Sequence, residues 1–140
     1  KLFDKKDKEA FNVLFSRVKT EATEDVKVHA KNMAKYFENV KFDENARMLS
    51  VVLHDNLDGE YLFIGHVGVL VPTSDGKLMF IEKLAFQEPF QAIKFDNRSQ
   101  LNDYLMNKYD VEFDQPNARP FIMENDELLK GYRLNPNNKG

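Results

Sequence analysis

The hydrophobic pattern of the chain is strongest between residues 60 and 86. Residues 61–71 are apolar except for two glycines and His66, and a continuous apolar run of this length is typical of a strand buried on both faces. The next stretch, Pro-Thr-Ser-Asp-Gly, favours a turn, and residues 77–86 are again mostly apolar. The pattern therefore predicts an antiparallel hairpin of residues 61–71 and 77–86, with its first strand in the interior of a sheet.

Two side chains of this hairpin carry candidate chemistry, His66 and Glu82. Strand side chains alternate between the two faces of a sheet, so the length of the turn decides whether the two share a face. A loop over residues 72–76 places Glu82 opposite His66. A shorter loop over residues 74–76 places Glu82 opposite Gly68, diagonal to His66 and on the same face. Loops of two or four residues would separate the pair, so two alternatives keep His66 and Glu82 together as candidate catalytic residues.

Two amphipathic helices are predicted before the hairpin. Residues 7–19 and residues 23–37 each carry apolar side chains at helical spacing, so each helix should pack through one face. The second helix is expected to begin at Thr23 or Glu24. The apolar side chains expected to be buried in these helices and in a later one are Phe11, Phe15, Val18, Val26, Met33, Phe37 and Leu105.

Further strands and a third helix complete the expected fold. Residues 48–54 and 91–95 have the composition of strands, and Asn97 or Ser99 is expected to cap a helix that runs to Tyr109. A last helical turn is predicted at residues 124–130, and residues 135–140 are predicted to be a disordered tail. At least four mostly antiparallel strands with helices packed on them define the α+β class, in a single domain over residues 1–134.

Composition excludes several classes of function. The chain has 20 basic and 23 acidic residues and no basic stripe interleaved with aromatics, so we expect no nucleic-acid partner. The longest apolar run is about half of the roughly 20 residues that a membrane helix needs, so no membrane-spanning segment is predicted. The chain contains no cysteine, which removes disulfides and a thiol nucleophile from this segment. No cofactor is predicted.

The remaining histidines and acidic residues are expected to have no catalytic or metal-binding role. His29 lies at the edge of a helical stripe with no second ligand at metal-binding spacing, so a partly exposed helix position is expected. His54 ends a predicted strand and is expected at the surface. The carboxylates of residues 55–60 lack the alternating spacing and the distal glutamate of a calcium loop. We therefore predict no metal site.

The hairpin sequence resembles part of a known fold. Gly-His-Val-Gly-Val at residues 65–69 and Gly-Lys-Leu-Met-Phe-Ile-Glu at residues 76–82 are similar to the second half of the NlpC-type papain-like fold. In that family an upstream cysteine is the nucleophile, the histidine at the head of the strand is the base, and a polar residue on the next strand orients the histidine. The resemblance implies that His66 is the base and that Glu82 orients it.

A longer resemblance covers nearly the whole chain. Residues 63–95, 101–113 and 120–133 are similar to the C-terminal portion of an uncharacterised family, a domain of unknown function, in secreted or lipid-anchored proteins of Gram-positive bacteria. Longer members of that family carry a lipoprotein signal and an upstream Tyr-Asn-Cys-Arg stretch, and this sequence contains neither. The resemblance implies an extracellular or cell-surface location. Because the chain starts at Lys1 without a methionine, a further N-terminal segment of the same protein is expected.

Two classes of function remain open. The first is the histidine-bearing half of a papain-like cysteine amidase or peptidase, whose cysteine lies on the missing segment and whose substrate is a peptide or a cell-wall amide. This chain alone lacks the nucleophile. The second class is a non-catalytic binding or structural domain that presents the Pro89-Phe90 and Pro120-Phe121 loops to a partner at the bacterial surface.

The two classes predict different surroundings for His66. A catalytic site requires His66 at the solvent-facing end of its strand, with one ring nitrogen on Glu82 and the other facing a groove. Gly65 and Gly68 would then leave room for a substrate backbone. A structural histidine would instead be enclosed, with both nitrogens bonded to backbone groups and Glu82 in bulk water.

Overall fold

The computed structural model describes residues 16–83, 87–111 and 116–138, and in these residues a seven-stranded sheet is flanked by two helices. The elements in chain order are β1 (Val18–Lys19), α1 (Val26–Tyr36), β2 (Arg47–Asp55), β3 (Tyr61–Pro72), β4 (Leu78–Lys83), β5 (Phe90–Phe95), α2 (Arg98–Tyr109), β6 (Phe121–Glu124) and β7 (Glu127–Leu128). In this part of the chain, neither helix has the length and apolar character needed to cross a membrane.

The sheet has the predicted hairpin in its interior. Its strand order is β5-β4-β3-β2-β6-β7, and β1 pairs with the first residues of β3. Every pairing between these strands is antiparallel. Because β3 lies between β4 and β2, the predicted interior hairpin and the α+β class are confirmed. The predicted end of the second strand at residues 84–86 lies outside the described residues.

The hairpin has the shorter of the two loops that keep His66 and Glu82 on one face. Gly68 lies opposite Glu82 in the register of β3 and β4. At the turn, the backbone N–H of Thr73 donates to the carbonyl of Lys77 at 2.9 Å, so the loop comprises residues 74–76. Glu82 is consequently diagonal to His66, at a separation that long side chains can bridge.

The strand buried on both faces is β2 rather than β3. Residues 49–52 of β2 are buried without a break, whereas β3 is mostly half-buried, with exposed positions along its length. Val69 of β3 remains 41% exposed because α1 packs against β1, β6 and β7 rather than against this part of β3. The prediction that residues 61–71 are buried on both faces is therefore wrong, although their interior position in the sheet is confirmed.

The two helices cover opposite faces of the sheet, and each face has its own hydrophobic core. Neighbouring residues of a strand point to opposite faces, which makes two cores possible. Val51 of β2 packs in the core that contains Leu105 of α2, and Val52 packs in the core that contains Met33 of α1. The sheet is thus the middle layer of three.

Both helices begin at a side-chain cap. Asp25 precedes α1 and accepts a hydrogen bond from the backbone N–H of Lys27. Asn97 precedes α2 and accepts one from the backbone N–H of Gln100. Such caps bond N–H groups that the first helical turn leaves without a partner. The predicted cap at Asn97 is confirmed.

The burial predicted for the helical side chains is confirmed in part. The fully enclosed side chains are Met33, Phe37 and Leu105. Val18 and Val26 are only partly buried. Phe11 and Phe15, with most of the predicted helix over residues 7–19, lie outside the described residues. The end of that helix is wrong: Val18–Lys19 forms β1, which pairs with the part of β3 that β4 does not reach.

The C-terminal residues differ from the prediction in two places. Residues 124–130 include the turn and the second strand of the hairpin of β6 and β7 rather than a helical turn, with Asn125 at a φ of 53° between the strands. Asn135 is buried, and its backbone N–H donates to Asp110 Oδ2 at 2.8 Å, so this part of the predicted disordered tail is bonded to the end of α2. Lys139 and Gly140 lie outside the described residues.

Candidate functional site

A β-bulge in β3 determines which face of the sheet His66 occupies. Val51 of β2 pairs with His66, and the next residue of β2 pairs with Ile64, so Gly65 is an extra residue in β3. Strict alternation would place His66 on the same face as Ile64, toward α1. The bulge instead turns the imidazole toward α2, where it stacks on Tyr109.

His66 and Glu82 are in direct contact on the α2 side of the sheet. Nε2 of His66 lies 2.7 Å from Oε1 of Glu82. The side chain of Glu82 is 0% exposed and that of His66 is 10% exposed. The structure therefore brings the two predicted residues together, and Glu82 does not face bulk water as it would beside a purely structural histidine.

Glu82 is a buried carboxylate with three hydrogen-bond donors. Besides His66, the side-chain amide of Gln91 donates to Oε2 at 2.9 Å and the hydroxyl of Tyr104 donates to the same oxygen at 2.5 Å. Burial raises the pKa of Glu82, but the three hydrogen bonds outweigh burial, and the net pKa lies below the ordinary glutamate value. Glu82 is therefore an anion at neutral pH.

An ionised Glu82 determines the tautomer of His66. An ionised carboxylate can only accept hydrogen bonds, so the proton in the bond between the two groups is carried by Nε2 of His66. Within the described residues, Nδ1 has no hydrogen-bond partner, and it is not among the fully buried atoms that lack one. The His66 side chain as a whole is 10% exposed. In the neutral ring Nδ1 has a free lone pair and can accept a proton.

Aromatic side chains enclose the imidazole. Tyr109 of α2 stacks on His66 with ring centroids 5.5 Å apart, and Phe80 of β4 approaches edge-on at 6.5 Å. Burial raises the pKa of Tyr109, and burial together with the hydrogen bond to Glu82 raises the pKa of Tyr104 to about 12. Both phenols are protonated at neutral pH, so Tyr104 remains a donor to the carboxylate.

Two features expected of a catalytic His66 are not found. His66 lies within β3 and not at a solvent-facing strand end. The glycines leave no room for a substrate backbone, since a Cβ on Gly68 would lie 2.5 Å from the Phe80 ring and one on Gly65 would lie 2.6 Å from Leu53. Both glycines instead allow side chains of the α2-side core to pack closely against β3.

Tyr109 also lines a cavity of about 650 Å³. The walls come from the end of β2, the start of β3 and the residues at the end of α2, and Leu57 and Val111 contribute apolar surface. These two side chains are 93% and 53% exposed. The ring that stacks on His66 thus forms part of the wall of a space large enough for a small ligand.

Sequence reasoning missed the partners that other elements bring to Glu82. Gln91 lies opposite Glu82 in the pairing of β4 and β5. The one sign of this contact in the sequence is that Gln91 is a polar residue at the start of a predicted strand. The sequence places Tyr104 and Tyr109 on the apolar face of a helix. No local pattern indicates which strand residue a helical hydroxyl reaches.

The other two histidines form a buried pair, and their predicted exposure is wrong. His29 is 0% exposed and His54 is 6% exposed, with ring centroids 4.4 Å apart. The backbone N–H of Ala118 donates to Nδ1 of His54, so Nε2 carries a proton and donates to Glu60 at 2.9 Å. Burial lowers the pKa of His29, whose Nε2 donates to the carbonyl of Thr23. Such fully bonded imidazoles indicate a structural role.

Comparisons with known proteins bear on the family alone. The searches of curated proteins and of solved structures give no match. A family described as a domain of unknown function (DUF4300) matches residues 1–129, which include every strand and helix from β1 to β7. This chain therefore belongs to the DUF4300 family.

Proposed function

We propose that this domain supplies the general base of a papain-like hydrolytic site, in which His66 accepts a proton from a cysteine thiol outside this sequence. One observation carries the proposal: the imidazole is held through Nε2, 2.7 Å from the buried Glu82 carboxylate, and Nδ1 remains without a partner in the described part of the chain. A thiol reacts as its thiolate, so its activation needs a base with a free lone pair.

The proposed chemistry is amide hydrolysis in two steps. His66 takes the thiol proton on Nδ1, and the thiolate attacks the amide carbonyl and displaces the amine, which leaves with that proton. Water then hydrolyses the thioester and regenerates the thiol. Glu82 is the positioning residue, because its negative charge favours the imidazolium that forms after the first proton transfer.

Peptide or cell-wall amides are the proposed substrates, and the bacterial cell surface is the proposed location, in a secreted or lipid-anchored protein. The support for both is the resemblance of the chain to NlpC-type hydrolases and to secreted Gram-positive proteins. The cavity beside Tyr109 is large enough for a substrate side chain. A protease added to intact cells tests the location. Cleavage of the domain is expected, and complete protection in unlysed cells would contradict a cell-surface location.

A binding domain is the second candidate. Phe90 favours it, because this ring is 72% exposed at the Pro89-Phe90 loop. The other loop named for this role does not present its ring, because Phe121 is 0% exposed. This candidate requires no cysteine, and it predicts that removing the His66 imidazole leaves the function intact.

The test uses the full-length natural protein and measures the rate at which iodoacetamide alkylates its cysteine as a function of pH. The thiol should titrate well below the value of about 8.5 for a free cysteine. His66→Ala should return the titration to about 8.5 and lower the rate at about pH 6.5 roughly tenfold or more. Glu88→Gln, at an exposed position, is the matched control and should change nothing.

Two results would contradict the proposal. The first is a full-length protein without a cysteine. The second is an alkylation rate that His66→Ala leaves unchanged across the pH range. Either result would favour the binding domain.

A further inference from the structure

A second pocket, of about 470 Å³, lies at the end of the sheet where β2 begins, away from the His66 site. Its polar wall is built around Glu124, whose side chain is 8% exposed. Arg98 donates to this carboxylate through Nε at 2.6 Å and through Nη2 at 2.9 Å. Arg47 donates to it through Nε at 2.8 Å. One buried carboxylate thus holds two guanidinium groups at the pocket wall.

Both arginines keep unused donors. A guanidinium carries five N–H groups in a fixed fork. Arg47 uses only Nε, and Nη1 of Arg98 makes no hydrogen bond within the described residues. The side chains are 38% and 36% exposed, so the remaining N–H groups are accessible to a ligand in the pocket. Forks of this geometry recognise oxyanions with two parallel hydrogen bonds.

The charges favour a monoanion. Arg47 and Arg98 together carry two positive charges and share the single negative charge of Glu124. Burial raises the pKa of Glu124, but the hydrogen bonds from both arginines outweigh burial and keep the carboxylate ionised at neutral pH. One positive charge of the cluster is therefore left for a ligand. The other charged lining residues, the exposed Glu44, Glu127 and Lys130, carry one net negative charge between them, which disfavours a dianion such as phosphate more than a monoanion.

The rest of the pocket is aliphatic. The apolar lining residues are Leu70, Pro72, Leu78 and Leu128. We propose that this pocket binds a monocarboxylate with an aliphatic side chain, of the size of an amino acid or of the last residue of a peptide. The carboxylate bonds the free donors of Arg47 and Arg98, and the aliphatic group packs on the leucines. This proposal does not depend on the role of His66.

The test titrates the isolated chain with N-acetyl-leucine and, in parallel, with N-acetyl-leucinamide, and follows the Nε–Hε NMR signals of Arg47 and Arg98. The acid should shift both signals in a saturable way, and the amide, which has the same shape without the charge, should bind about tenfold more weakly or worse. N-acetyl-Ala-Ala-Leu with a free C-terminus distinguishes the two possible sources of the carboxylate, a small free acid and the C-terminal residue of a peptide. Tighter binding of this tripeptide identifies a peptide end, and equal binding identifies a free acid.

Variants locate the site. Arg47→Gln should weaken binding of the acid about tenfold, and Arg47→Lys, which keeps the charge without the fork, should weaken it less. Arg133→Gln is the matched control, because Arg133 is 60% exposed, pairs with Asp103 and lies outside the pocket lining. Equal binding of acid and amide, no saturable shift up to about 10 mM acid, or unchanged binding in a folded Arg47→Gln variant would overturn the proposal.

Discussion

A buried negative charge organises the His66 site at the scale of single residues. Glu82 is enclosed, and its oxygens accept from an imidazole, an amide and a phenol. Burial alone would favour the protonated acid, so the donors are what keep the carboxylate charged. The same charge then holds the proton of His66 on Nε2 and leaves Nδ1 unbonded.

Glu82→Gln should destabilise the domain by about 1–3 kcal/mol. Glutamine has one acceptor oxygen in place of two, so an oxygen that keeps the bonds from Gln91 and Tyr104 leaves the NH₂ group against the Nε2–H of His66. The free energy of unfolding in urea at about pH 7 measures the effect. Glu88→Gln, at an exposed position, should stay within about 0.5 kcal/mol of the wild type, and an equal loss in both variants would contradict this account of Glu82.

Single residues were predictable where the strand period determines their contacts. The two-residue period predicted that His66 and Glu82 share a face for either of two turn lengths, and the structure has the shorter turn, with Glu82 diagonal to His66. The burial of His29 and His54 was not predictable from local sequence. Their enclosure depends on groups distant in sequence, such as the backbone of Ala118, which bonds His54.

The bulge in β3 matters most at the scale of elements. It reverses the alternation of side chains, so that Ile64 packs toward α1 while His66 faces α2. Bulges are common beside functional sites because they redirect a side chain without moving the strand. Gly68 then allows the Phe80 ring to approach β3 closely, next to the imidazole.

Gly68→Ala should cost about 1–3 kcal/mol of stability, because the added Cβ would lie 2.5 Å from the Phe80 ring and 2.9 Å from the carbonyl of Ile81. Gly65→Ala is the matched comparison. There the nearest atom is the end of the Leu53 side chain, which can move, so a smaller loss is expected. Urea unfolding of the two variants measures the difference, and a larger loss for Gly65→Ala would refute this packing.

Elements with a strong pattern were predicted, and short elements were not. The interior hairpin and the helix capped by Asn97 follow from period and capping chemistry. β1 and β7 each have two residues, too few for a period, and they form because a neighbouring strand offers unpaired backbone groups. The bulge was also beyond sequence reasoning, since Gly65 fits a regular strand as well as a bulged one.

Buried ionisable groups on both faces of the sheet make the whole molecule sensitive to acid. Burial lowers the pKa of His29 below its ordinary 6.5, so His29 contributes stability above that pH and loses it as the pH falls toward the folded-state pKa. Glu82 and Glu124 have pKa values below their ordinary 4.5. Their contribution is present above 4.5 and is lost as the pH falls through the folded-state values.

The free energy of unfolding should therefore fall in two stages, one below about pH 6.5 and one below about pH 4.5. Urea unfolding at a series of pH values measures both. His29→Gln should remove most of the first stage, and Glu82→Gln should reduce the second. A stability that stays constant between about pH 7 and pH 5 would contradict the burial of His29 in a neutral form.

The ¹⁵N and ¹H NMR signals of the His66 ring test whether Glu82 holds His66 with Nδ1 free to act as a base. At a pH where the ring is neutral, we expect a proton on Nε2 and an unprotonated Nδ1, and a loss of this preference in Glu82→Gln. A neutral ring with its proton on Nδ1 would contradict the account, because that nitrogen would then have no lone pair with which to accept a proton.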